Sequence, residues 1–201
     1  MTKAVPFGMK PFQDWIYEGH PEYAIFAVKA PIEAVGQSLV DDFGVKEWRK
    51  CLDSDKSISE SMPKERSHWF PILQMIDSDW TVVYWYVGAY MNVSNMSKKL
   101  SSSFHTRVIF LVEEDTSGAI GYGIYEKDEL LEEAECCPGE DLFFESKIRE
   151  EPEIDDFETD EGEAISQVFN QFFIEEGISI PTYSMKVADA SLSRVDLMKL
   201  S

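Results

Sequence analysis

The stretch Thr106 to Glu135, TRVIFLVEEDTSGAIGYGIYEKDELLEEAE, limits the fold more than any other part of the chain. It predicts three consecutive β-strands with two turns between them. Arg107 to Val112 is aliphatic and β-branched, which suits a pleated, buried surface. Glu113 to Gly118, EEDTSG, supplies turn residues. In Ala119 to Tyr125, Gly121 and Gly123 alternate with Ile120, Tyr122 and Ile124. Glycine at every second position leaves one face of that strand bare, so a neighbour must pack closely on it. Glu126 to Asp128 turns the chain again, and Glu129 to Glu135 makes the third strand. Strands joined by such short turns pair antiparallel, and the rest of the chain must cover the faces they create.

The flanking segments supply that cover. Tyr23 to Lys29 predicts a strand. Pro31 then opens a helix in which Ile32, Val35, Leu39 and Phe43 share one face, with Gly44 as its stop. VKEWRKCL, residues 45–52, reads as a short helix bearing Lys46, Arg49 and Lys50, and residues 53–67 as a surface loop. Trp69 to Ile76 predicts a strand that Pro71 confines to an edge or bulge. Asp77 to Asp79 makes a turn. Trp80 to Val87, WTVVYWYV, is apolar on both alternate sets and predicts a strand covered on both faces. A helix capped by Asn92 or Ser94 runs to Phe104, burying Val93, Met96, Leu100 and Phe104, with Lys98 and Lys99 outside. Ala164 to Glu176 predicts a third helix with a wide apolar face, ended by Gly177, and Ile178 to Tyr183 an edge strand. The expected fold is a single α+β domain over 1–201, a largely antiparallel sheet with about three helices on one face. Residues 1–21, broken by Pro6, Pro11 and Pro21, read as an extended arm; residues 184–201 read as a partly docked, fraying tail.

Charge narrows the function classes. The net charge is −20, from 38 acidic and 18 basic residues. Such a chain repels nucleic acid and anionic membranes, whose binding needs Lys and Arg to displace counterions. It attracts basic partners and speeds their encounter, although high negative charge also serves solubility alone. Residues 126–163 hold 18 acidic residues against Lys127, Lys147 and Arg149. Residues 146–163 of that run read as an acidic loop. The three cysteines, an odd number with Cys136 and Cys137 adjacent, suit reduced thiols in the cytoplasm. The first fifteen residues carry no apolar signal-peptide run.

No pattern for a specific chemistry stands out. Glu113, Glu114 and Asp115 offer oxygen ligands on a turn, as Mg²⁺ or Ca²⁺ requires, but their spacing matches no full calcium loop. Local side-chain bonds to backbone are the better account of that turn, and Asp77 and Asp79 are read in the same way. The acidic neighbours of Cys136-Cys137 oppose thiolate formation. His68 and His105 have no Ser or Cys motif to complete a catalytic pairing. AIGYGIY lacks dinucleotide-loop spacing, and neither a P-loop nor a nucleophile elbow occurs. The aromatics of WTVVYWYV suit core packing or a ligand pocket. No metal and no cofactor is expected.

The segment KKLSSSFHTRVIFLVEEDTSGAIGYGIYEKDELLEEAE resembles a group of uncharacterised bacterial α+β proteins. The resemblance rests on Thr106, Arg107, Val108, Glu114, Asp115, Thr116, Ser117, Gly118, Gly121, Tyr122, Tyr125, Glu126 and Glu129 and covers about a quarter of the chain. It implies a strand–turn–hairpin unit and no activity. In overall cast the chain is similar to bacterial immunity proteins that neutralise toxins. The functional expectation is a non-enzymatic acidic module that binds a basic protein surface, whether a toxin or a nucleic-acid-binding protein. Its expected contact residues are Glu132, Glu133, Glu135, Glu151, Glu153, Asp155, Asp156 and Phe157. The alternative is a small-molecule-binding or divalent-metal-dependent enzyme using Asp77, Asp79, Glu113, Glu114 or Asp115.

Overall fold

The computed structural model describes residues 22–50, 55–63, 68–85, 90–114, 119–137, 142–151, 171–178 and 192–200. The predicted arm 1–21, residues 115–118 of the predicted turn, the acidic run beyond Glu151 and the predicted strand over 179–183 lie outside them. The strands are β1 (Glu22–Lys29), β2 (Val45–Arg49), β3 (Trp69–Met75), β4 (Trp80–Trp85), β5 (Arg107–Glu114), β6 (Ala119–Glu126), β7 (Glu129–Cys136), β8 (Phe143–Ser146) and β9 (Leu192–Leu200). The helices are α1 (Ile32–Asp42), α2 (Ile58–Ser61), α3 (Tyr90–Phe104) and the described part of α4, residues 171–175.

All nine strands form one sheet in the order β2-β9-β3-β4-β1-β5-β6-β7-β8, and every pairing is antiparallel. Its centre is β3-β4-β1-β5. β1 and β3 both pair antiparallel to β4, so they run parallel to each other, with α1 in the connection between them. β4 and β5 are related in the same way through β1 and α3. Two split β-α-β units that interlock in this way are the ferredoxin-like arrangement. The β6–β8 meander extends one side of this core; β9 and β2 extend the other.

One face of the sheet carries Phe26, Ile72, Val83, Phe110 and Met198 beneath α1 and α3, which contribute Ile32, Val35, Leu39, Val93, Met96 and Leu100. The apolar stripes predicted for both helices are thus the buried ones. Pro31 stands at the N-cap of α1, and Gly44 (φ 77°) follows its C-cap, Phe43. The opposite face carries Leu73, Val82, Tyr84, Ile109, Tyr122 and Ile124 and is closed by Ile58, Phe172, Phe173 and Ile178. β4 is buried throughout, as its two apolar sets require. The bare face of β6 is also filled: a Cβ on Gly123 would lie 2.5 Å from the Phe110 ring.

Several expectations are corrected. Among the described residues the helices number four and lie on both faces, not about three on one. Residues 45–49 form β2, not a helix, because Trp48 lies over Gly36 of α1 and the segment pairs with β9. The expected loop over 53–67 contains α2, which has a complete Ser57–Glu60 capping box and a fully buried Ile58. β3 is an interior strand, paired with β9 through Pro71 but with β4 only from Ile72 onward. The missing N–H of proline is accommodated where the second ladder stops. The expected tail contains β9, an interior strand between β2 and β3.

Candidate interaction surface

β7 and β8 carry the described part of the acidic run. β7 alternates: Glu132, Ala134 and Cys136 are buried, whereas Glu133 and Glu135 are half-buried. Directly opposed residues of an antiparallel pair share a face. Glu133 and Glu135 sit opposite Gly123 and Gly121, which sit opposite Phe110 and Val112 of the helix-covered face. Across the other edge of β7, Glu133 meets Glu145 and Glu135 meets Phe143. α3 packs on β5, β6 and β1. Beyond it, on the same face, lie three carboxylates and a phenylalanine ring that is 47% exposed. β8 is the last strand of the sheet among the described residues, and Ile148, 42% exposed, follows it.

Two nearby cations, Arg149 and Lys147, are engaged by other carboxylates. Arg149 turns to the opposite face of the sheet. Its Nε lies 2.7 Å from Glu132 Oε2, its Nη1 lies 3.2 Å from Glu175 of α4, and its guanidinium stacks 3.9 Å above the Phe172 ring. Glu132 also accepts a 2.7 Å hydrogen bond from the Ser146 hydroxyl. Lys147 is engaged by Glu129 at 2.7 Å, and Lys127 forms the β6–β7 turn with φ 52°.

The buried side of β7 is a fastening for α4. Tyr122 packs its ring 5.3 Å from Phe172 and 6.2 Å from Phe173. Burial, and then the Glu132 charge, push the Tyr122 hydroxyl well above the ordinary tyrosine range. A second arginine, Arg107 on β5, grips Glu126 at 2.8 Å and Glu176 at 2.6 Å. Desolvation opposes its charge, but these two carboxylates outweigh it and leave the guanidinium more basic than usual. Two arginines from the sheet region therefore hold the end of α4 by its adjacent glutamates.

The expected contact residues divide accordingly. Glu132 is 1% exposed and belongs to the interior fastening, not to a surface. Its neighbours Arg149 and Ser146 lie 17 and 14 residues away, so no local pattern marks it as inward-facing. Glu133 and Glu135 lie together on the acidic face, and Glu151 is exposed beyond β8. Glu153, Asp155, Asp156 and Phe157 lie outside the described residues. Glu145 and Phe143 were missed; their signal was the short apolar pair Phe143-Phe144 inside the acidic run.

The other candidates are scattered. Glu113 and Glu114 belong to β5 by backbone pairing, opposite Ile120 and Ala119, and Asp115 lies outside the described residues. Asp77 (φ 53°) is in the β3–β4 turn, where the Ser78 hydroxyl accepts from the Trp80 N–H. Cys136 is buried and Cys137 half-buried. Among the described residues no three His, Cys, Asp or Glu side chains gather to hold a metal ion, and no helix is long and apolar enough to cross a membrane. Comparison with protein-family models, with curated proteins and with solved structures finds no match to this chain.

Proposed function

We propose that this chain is a protein-interaction module that binds a basic protein surface through the β7–β8 face. The observation that carries this reading is the cross-strand pairing of Glu133 with Glu145 beside the exposed Phe143. Like charges directly opposite each other on a sheet cost stability. A basic partner surface is complementary to these carboxylates, and a central aromatic is the residue type that supplies affinity in an interface. The surrounding charge would steer the encounter, making association sensitive to salt. Glu132 supports the face from behind by tying β7 to the segment that follows β8.

Affinity capture from the source organism at low salt tests the reading. Wild-type chain and the triple variant E133K/E135K/E145K are run side by side. A basic protein retained by the first and lost from the second is the expected result. No basic protein on the wild-type chain, or the same proteins on both, would overturn it.

A further inference from the structure

A cavity of about 610 Å³ lies on the helix-covered side, between the end of α1, the first half of α3 and the ends of β4 and β9. Its lining does not include the acidic face. Trp85 provides a fixed wall. It is 5% exposed and held by Phe70, Phe26 and Phe43 at ring separations of 5.0, 6.1 and 6.5 Å. Met96 and Leu200 extend the apolar lining. A wall packed this firmly is in place before any ligand arrives.

Among the described residues the polar groups of the cavity are few. Asn92 and Asn95 stand three residues apart on α3, hence side by side along the helix, and both are exposed at its rim. A carboxamide offers a donor and an acceptor together. Among the described residues Lys99 is the lysine or arginine of the lining, and it is already engaged, 2.8 Å from Asp42 and 5.0 Å above the Phe43 ring. Asp42 thus offsets the Lys99 charge. His68 enters the lining with a left-handed backbone (φ 70°), and its carbonyl accepts the Leu200 N–H at 2.9 Å. Side chains held by such uncommon backbone conformations cluster at ligand sites.

We infer that this cavity binds a flat, uncharged heteroaromatic molecule, with its ring against Trp85 and Phe43 and its polar edge at Asn92 and Asn95. The size, the aromatic wall and the paired amides favour such a ligand, and the Lys99–Asp42 pair disfavours a phosphate or carboxylate.

The test uses adenine, which has a donor–acceptor edge, indole, which lacks it, and adenosine monophosphate, which adds charge. Ligand-observed NMR on the full chain reads binding. Adenine is expected to bind with a dissociation constant on the order of 1 mM, reasonable for a fragment of this size. Adenosine monophosphate should bind no more tightly. N95W, a change at an exposed helix position, should block adenine and indole alike. N92A/N95A should weaken adenine by at least about fivefold while changing indole by less than about twofold, as removal of an edge-specific bond predicts. Absence of binding to the wild-type chain, unchanged binding to N95W, equal loss of both ligands in N92A/N95A, or tighter binding of the monophosphate would each overturn the assignment.

Discussion

Glu133 of β7 stands directly opposite Glu145 of β8, so the outermost strand pair of the sheet juxtaposes two carboxylates. A chain selected for stability alone would favour opposite charges there. Replacing Glu145 by Lys should raise stability by about 0.2–1 kcal/mol, the range of cross-strand pair energies, while weakening capture of a basic partner. Urea denaturation of E145K against wild type checks the first half. A loss of stability would show that repulsion across this pair is not what the position costs. Gains in stability at the expense of binding are the ordinary signature of a functional surface.

Tyr122 gives a pH signature for the fastening of α4. Its hydroxyl is raised well above the ordinary range, chiefly by burial. The unfolded chain ionises this group near pH 10, whereas the folded chain keeps it protonated to higher pH. The unfolded state therefore binds fewer protons above that pH, and stability must fall as pH rises. The contribution is fully present below the unfolded value. Chemical denaturation from pH 8 to 11 should show this decline, and Y122F should reduce its slope. Equal slopes in the two chains would contradict the assignment.

The elements that the sequence makes legible are those whose signal is local. The α1 stripe of Ile32, Val35 and Leu39, the doubly apolar β4 and the β5–β7 meander each carry their own periodicity. β2 and β9 depart from what their local sequence predicts because their reasons are distant. Trp48 donates its indole N–H to the buried Asp196 at 2.8 Å, across 148 residues. Asp196 is also held by Arg194 at 2.7 Å, which places a charged residue in the middle of an interior strand and hides its pattern. The acidic surface was legible in composition, but not the division of β7 into an inward Glu132 and outward Glu133 and Glu135. That division depends on where Arg149 goes.

Gly36 tests the packing that makes residues 45–49 a strand. In the middle of α1, alanine would ordinarily be better than glycine by about 0.5–1 kcal/mol. A Cβ at Gly36, however, would lie 2.6 Å from two atoms of the Trp48 ring. The ring cannot withdraw without losing its 2.8 Å hydrogen bond to Asp196. Overpacking of this kind costs about 1–3 kcal/mol, so G36A should be destabilising by about 1 kcal/mol. With the smaller ring of W48F the same change should become neutral or stabilising. A thermal denaturation cycle over the four chains reads the reversal, and additive effects would count against the contact.

β9 offers the most decisive test of the topology. As an interior strand it pairs on one side with β2 and on the other with β3. It also buries Leu192, Val195, Leu197 and Met198, none more than 6% exposed. At about 1.5–3 kcal/mol for each such side chain, these four alone rival the whole stability of an ordinary domain, about 5–15 kcal/mol. Removing β9 would also leave β2 without a sheet neighbour and β3 paired on one edge only, exposing unpaired backbone donors and acceptors. A chain ending at residue 191 should therefore show no cooperative thermal transition by circular dichroism. A fraying tail would predict the opposite, a transition within a few degrees of the intact chain. Observing that transition would remove β9 from the centre of its half of the sheet, and with it the explanation of Asp196.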